Sequence, residues 1–157
     1  MVSVGVTAGN NPLIQVATTI LHTNVDCATV IPNDNTIPQN TEGNEVITVS
    51  ITPKSSSNIL FIEFNGFAVD DGNLHFITCA LFQDTTADAL AASIRRSLGV
   101  NFATTIPLTY SKTAGTTSAT TFKVRVGPTS ATGTVKINDA FFGGVQTTSL
   151  TVWEYQA

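Results

Sequence analysis

The residues able to do chemistry are few and show no converging pattern. His22 and His75 are the only imidazoles in 157 residues, and neither has partners at metal-ligand spacing. Glu63 and Glu154 fall in stretches that read as strands, and two carboxylates on a β-scaffold are the equipment of glycoside cleavage. Their spacing in sequence says nothing of their separation in space, so the pair is weak grounds for that chemistry. Asp70-Asp71-Gly72-Asn73 and Asn33-Asp34-Asn35 offer oxygen ligands of the kind Ca²⁺ takes. Neither completes the Asp-x-Asn-x-Asn-Gly series with its distal Glu, and both read better as turns. Arg95-Arg96 suits either an acidic partner or open solvent. There is no Gly-x-Ser-x-Gly, no His-Glu-x-x-His, no Cys-x-x-Cys and no phosphate-cradling glycine loop. The expectation is a protein that is not an enzyme and has no catalytic residues, cofactor or metal.

Cys27 and Cys79 are the only cysteines. Cys79 sits in the apolar run Phe76-Ile77-Thr78-Cys79-Ala80-Leu81-Phe82, where a buried free thiol is the ordinary state. A Cys27–Cys79 bridge stays open as an alternative.

The surface is the unusual part of the composition. Charged residues make up 11% of the chain, against roughly 25% in an ordinary soluble domain. Seven Lys+Arg and 11 Asp+Glu give a net charge of −4, and mean hydropathy is +0.21. With 42% hydrophobic residues the core is ordinary, so the missing charge belongs to the outside. Surface charge keeps proteins apart, and its shortage points toward assembly. The basic residues Lys54, Arg95, Arg96, Lys112, Lys123, Arg125 and Lys136 are scattered, without the basic face of a nucleic-acid binder. No run approaches the roughly 18 apolar residues of a membrane helix, and Met1 to Val6 lacks the basic and apolar regions of a signal peptide. Nucleic acid and membrane are therefore not expected as partners.

Thr, a strand-favouring residue, is about one residue in six. In Val46–Thr52, Ile47, Val49 and Ile51 alternate with polar residues, and in Thr121–Val126 so do Phe122, Val124 and Val126. Asn58–Val69 and His75–Phe82 are apolar on both faces, as in strands covered on both sides. Ile14–His22, Thr105–Lys112, Thr134–Asn138 and Thr148–Tyr155 complete about eight strands. Asp70 to Asn73 reads as a tight hairpin turn. Residues 87–98 place Ala87, Leu90, Ala91, Ile94 and Leu98 at helical spacing, which gives either one short helix or an irregular crossing. The expected fold is all-β, a single-domain antiparallel sandwich of the jelly-roll kind, with an N-terminal arm over 1–13 and the domain over 14–157.

The aromatic residues suggest where partners would sit. If Leu150 and Val152 face the core, Trp153 and Tyr155 point the other way, and Phe141-Phe142 precede the same strand. Aromatics are enriched at interface centres, so Phe141, Phe142, Trp153 and Tyr155 are the candidate subunit interface. A last strand buried on both faces within one subunit is the competing reading.

Four segments carry a resemblance over roughly Ile51 to the C-terminus. They are Ile51-Thr52-Pro53-Lys54-Ser55-Ser56-Ser57-Asn58-Ile59-Leu60, Ala80-Leu81-Phe82-Gln83-Asp84, Thr121-Phe122-Lys123-Val124-Arg125-Val126, and Gly143-Gly144-Val145-Gln146 running on to Tyr155. The succession resembles C-terminal modules of tail-fibre and head-decoration proteins of tailed bacteriophages. The resemblance implies a jelly roll akin to tumour necrosis factor, assembled as a homotrimer in the virion after synthesis in the host cytoplasm. With room for only a short arm and no shaft, a cement protein that binds the major capsid protein and stabilises the head is expected. Val2, Val4 and Val6 of the arm alternate with Ser3, Gly5 and Thr7, a pattern suited to adding a strand to a capsid protein's edge. The alternative is the receptor- or glycan-binding module of a tail fibre or spike, marked by Phe141-Phe142 or by the loop from Asn33 to Asn40.

Overall fold

The computed structural model describes residues 12–72 and 76–157. Val2, Val4, Val6, Asn73 and His75 lie outside the described residues. Ten strands are present among those described: β1 (Leu13–Leu21), β2 (Val25–Cys27), β3 (Asn44–Ile51), β4 (Ile59–Asp70), β5 (Phe76–Gln83), β6 (Ala91–Arg96), β7 (Phe102–Thr113), β8 (Thr120–Pro128), β9 (Val135–Ile137) and β10 (Thr148–Tyr155). They form two sheets in which every pairing is antiparallel.

The long strand β4 organises the first sheet. One edge pairs β7 along its whole length, from Ile59↔Thr113 to Asp70↔Phe102. The other edge pairs β10 over Ile59 to Asn65 and then β9 over Ala68 to Asp70. β1 lies outside β10, and β2 lies outside β9 in the same manner. The main order is thus β1-β10-β4-β7, facing a second sheet ordered β3-β8-β5-β6. This is the jelly-roll order, two Greek keys folded over one core.

Alternation decides which side chains fill that core. Ile47, Val49 and Ile51 of β3 and Phe122, Val124 and Val126 of β8 are buried, as their period-two spacing predicts. They meet Leu60, Ile62, Phe64, Leu150 and Val152 from the first sheet. β5 is covered on both faces: Ile77, Cys79 and Leu81 enter the main core, while Ala80 and Phe82 pack under Ile31. The cover over that outer face is the 28–43 connection.

Three expectations need correction. The helix near residues 87–98 is absent, and β6 takes its place, paired with β5 from Phe76↔Arg96 to Leu81↔Ala91. The would-be helical stripe does not share one buried face, since Leu90 and Ala91 pack against the core while Ile94 is 45% and Leu98 69% exposed. A free edge on β5 offers backbone partners, and tertiary pairing overrides local spacing. The short β2 was likewise not expected, so ten strands stand where about eight were read. Lastly, the turn after β4 is not a hairpin. Gly72 N donates to Asp70 Oδ1 at 2.9 Å, but β4 and β5 belong to opposite sheets.

Candidate functional site

The outer face of the first sheet gathers three of the four aromatic residues singled out by sequence. Leu150, Val152 and Glu154 of β10 are fully buried, so Ser149, Thr151, Trp153 and Tyr155 point outward. The register sets Trp153 between Val16 of β1 and Phe61 of β4, with Ser111 of β7 beyond. The Trp153 and Phe61 rings stand 5.6 Å apart, tilted by 45°. Tyr155 lies beside Ile59 in the next outward row. Six residues along β4, or about 20 Å at strand rise, Phe67 meets Phe141 edge-on with centroids 6.2 Å apart. Phe141, Trp153 and Tyr155 therefore share one face.

Phe142 sits apart from that packing. It belongs to a single 3₁₀ turn, Phe142–Gly144, and its side chain is 82% exposed. Its φ of 48° is in the left-handed region that an aromatic residue rarely adopts. Ile14, Val16 and Ile20 on β1 also stand exposed. They and Phe61 were missed as interface candidates, although the same alternation that places Trp153 outward places them.

Charge is nearly absent from this face. Along β1, β10, β7 and β4 from Ile59 to Phe67, the outward positions carry one ionisable carboxylate, Glu63, which accepts a bond from Asn65 Nδ2 at 3.1 Å. The outer face of the second sheet differs. There Glu45 lies 3.6 Å from Lys123 Nζ and 3.8 Å from Arg125 Nη1. A face with one charge can be covered at lower desolvation cost than a charged one, and burial contributes about 25 cal/mol per Å² of the apolar surface it carries.

The carboxylate pair does not come together. Glu63 opposes Thr151 on the outer face, whereas Glu154 opposes Leu60 and points inward. Glu154 is instead the acceptor at the centre of a buried polar knot. Its Oε1 receives Asn58 Nδ2 at 2.6 Å and Lys54 N at 2.8 Å, and its Oε2 receives Gln15 Nε2 at 2.5 Å. Burial alone would raise its pKa, but bonds from Asn58, Gln15, Lys54 N–H and Ser55 N–H outweigh it and hold the carboxyl below its ordinary value. The knot fastens the Pro53–Asn58 turn to β1 and β10.

The remaining candidates are dispersed. His22 is exposed. Asp71 is engaged by Thr134 N at 2.9 Å and Lys136 Nζ at 3.3 Å. Asp34 accepts both the hydroxyl and the N–H of Thr36, at 2.6 and 2.7 Å, as an Asx turn does. Arg95 and Arg96 are exposed. No group of three or more His, Cys, Asp or Glu is placed to hold a metal among the described residues. Cys27 and Cys79 are buried, unbridged thiols, each pushed up to about 12 chiefly by burial.

No family model matches the chain, and no curated protein does. Among solved structures it is similar to the EclA C-terminal domain, a sugar-binding protein, at 15% identity over 92% of this chain and 86% of that one, with a TM-score of 0.45. It is similar to dimeric latent PorU from Porphyromonas gingivalis at 9% identity over 96% of this chain and 14% of that one, TM-score 0.46. The VP2 subviral particle of infectious bursal disease virus matches at 10% identity over 91% of this chain and 38% of that one, TM-score 0.39. These neighbours thus include a sugar-binding domain and a viral particle protein. At TM-scores below 0.5 the likenesses carry no argument about function; strand order and side chains do.

Proposed function

We propose that this chain is a structural virion protein: a homotrimer that seats on the major capsid protein of a phage head and stabilises it as a cement. The observation that carries the reading is the outer face of the first sheet, where Trp153, Tyr155, Phe61 and Val16 lie together with Glu63 as the lone charge. Around a threefold axis that charge-poor face would meet a different patch of the neighbouring copy, and obligate interfaces are more apolar than transient ones. Cementing is then linkage: a protein that binds only the assembled shell stabilises it by its binding free energy. The resemblance to phage decoration modules supports the virion as its place.

Sedimentation of the purified protein tests the assembly half. A stable mass near three times 16.5 kDa is expected, and a clean monomer would remove the basis of the reading. Heating phage heads with and without the protein tests the other half. Heads that resist heat equally in its absence would leave a receptor- or glycan-binding tail module as the reading to pursue.

A further inference from the structure

On the opposite side of the sandwich, the 28–43 connection bridges the outer face of β5 and β6 and leaves a groove of about 190 Å³ beneath residues 32–38. That cover is fixed at both ends. Ile31 N bonds Pro128 O at 3.0 Å, and Arg125 donates to the carbonyls of Glu42 and Gly43 at 2.6 and 2.7 Å. Ala89 N bonds Pro38 O at 3.0 Å, and Asn40 Nδ2 bonds Thr86 O at 2.9 Å. The groove is thus built before any ligand arrives.

Its lining combines five polar residues, Asn33, Asp34, Thr36, Thr78 and Ser93, with apolar walls from Pro32, Pro38 and Ile94. Thr78 is the telling member. It lies on the groove face of β5, is 6% exposed, and its hydroxyl has no hydrogen-bond partner among the described residues. A buried polar group left unmade is costly; the oxygen itself is closed to solvent, so a ligand hydroxyl gains what the protein forgoes once the Thr78 side chain turns about χ1 toward the groove. The Thr36 hydroxyl and N–H hold the Asp34 carboxyl below its ordinary value, and its second oxygen is an acceptor for a ligand. No Lys, Arg or His lines the groove, and Arg96 lies outside it.

We propose that this groove binds one neutral sugar ring. The lining mixes acceptors (Asp34, the Asn33 carbonyl) with groups that also donate (the Asn33 amide, Thr78, Ser93). Hydroxyls, which do both, answer that mixture. An ammonium only donates, and a phosphate or carboxylate would meet Asp34 without a compensating cation. The volume is below the roughly 300–1,000 Å³ of pockets for drug-sized ligands, which suits a single ring whose C–H face lies against Pro32 and Ile94.

The test is titration of the isotope-labelled protein with methyl hexopyranosides of gluco, galacto and manno configuration, with glucosamine and glucuronate as cationic and anionic arms. At least one neutral pyranoside should give saturable shifts at Thr36, Thr78, Ser93 and Ile94. Asp34→Asn and Thr78→Val should each weaken binding about tenfold, the loss of one good hydrogen bond. Ala92→Trp, at an exposed position on the groove wall, should abolish it. Tighter binding of glucosamine or glucuronate, shifts that survive Ala92→Trp, wild-type affinity in Thr78→Val, or no saturable shift at all would overturn the inference. The groove and the proposed trimer face lie on opposite sheets. A trimer that fails to bind sugar therefore overturns this inference alone, and a monomer that binds overturns only the assembly reading.

Discussion

Asn58 Nδ2 donates to Glu154 Oε1 at 2.6 Å, joining residues 96 positions apart in a site closed to solvent. The same oxygen takes the N–H of Lys54, and the other takes the amide of Gln15. One carboxylate thereby holds the first strand, the last strand and the turn before β4. Glu154→Ala would leave the buried Asn58 amide and the part-buried donors of Gln15, Lys54 and Ser55 without their acceptor. At about 1–3 kcal/mol for each unsatisfied group, a loss of about 3–5 kcal/mol is expected. Urea unfolding of the variant measures it, and a loss below about 1 kcal/mol would show that water replaces the carboxylate freely.

The pH dependence arises at the same site. Glu154 has a folded pKa below its ordinary 4.5, so its ionised form is the one the fold favours. That contribution is fully present above the unfolded value and is lost as pH falls through the folded one. Wild type should therefore exceed Glu154→Gln in stability by a constant margin from neutral pH down to about 5. Below that the margin should narrow. A margin that widens toward acid would contradict the assignment.

Strands whose apolar residues alternate were legible in sequence because burial on one face leaves a period of two, as in Ile47, Val49 and Ile51. The outward placement of Trp153 and Tyr155 followed from the same rule once Leu150 and Val152 were set inward. β6 was not legible: Leu90, Ala91 and Ile94 mimic a helical stripe, and only the vacant edge of β5 decides the matter. Glu154 and Glu63 look equivalent in sequence, yet one residue of parity sends them to opposite faces. Thr78 gave no signal, because a strand covered on both sides has no wet face to mark an orphaned hydroxyl.

Gly127 fixes the cover of the groove. A Cβ there would stand 2.2 Å from Thr29 O and 3.2 Å from Gly43 Cα, so backbone would have to move. Gly127→Ala should cost about 1–3 kcal/mol, the range of overpacking in a close-packed site. Hydrogen exchange should rise at Ile31 and Gly43, whose amides bond Pro128 O and Val30 O, while exchange across the β4–β7 pair stays slow. Equal exchange everywhere would mean that the connection is not held through this approach.

The two thiols provide a clean gauge of core integrity. Cys27 and Cys79 are unbridged and buried, with pKa values pushed up to about 12, and the thiolate is the reactive form. A thiol reagent at pH 8 should leave both untouched in the folded protein and modify both in denaturant without prior reduction. Rapid modification of either in the native state would contradict their burial.

Val16 offers the sharpest separation of assembly from folding. It is 47% exposed in the single chain and sits beside Trp153 on the edge strand of the charge-poor face. Val16→Lys therefore leaves the monomer's core untouched, and its ammonium can stay in water. Within a subunit interface the same ammonium loses its hydration, at a cost of several kcal/mol. The variant should keep its β-sheet circular dichroism and sediment as a monomer. Ser50→Lys, on an exposed position of the second sheet, should remain a trimer. If both variants remain trimeric, the subunits meet elsewhere; if both dissociate, the effect is net charge and not the position of Val16.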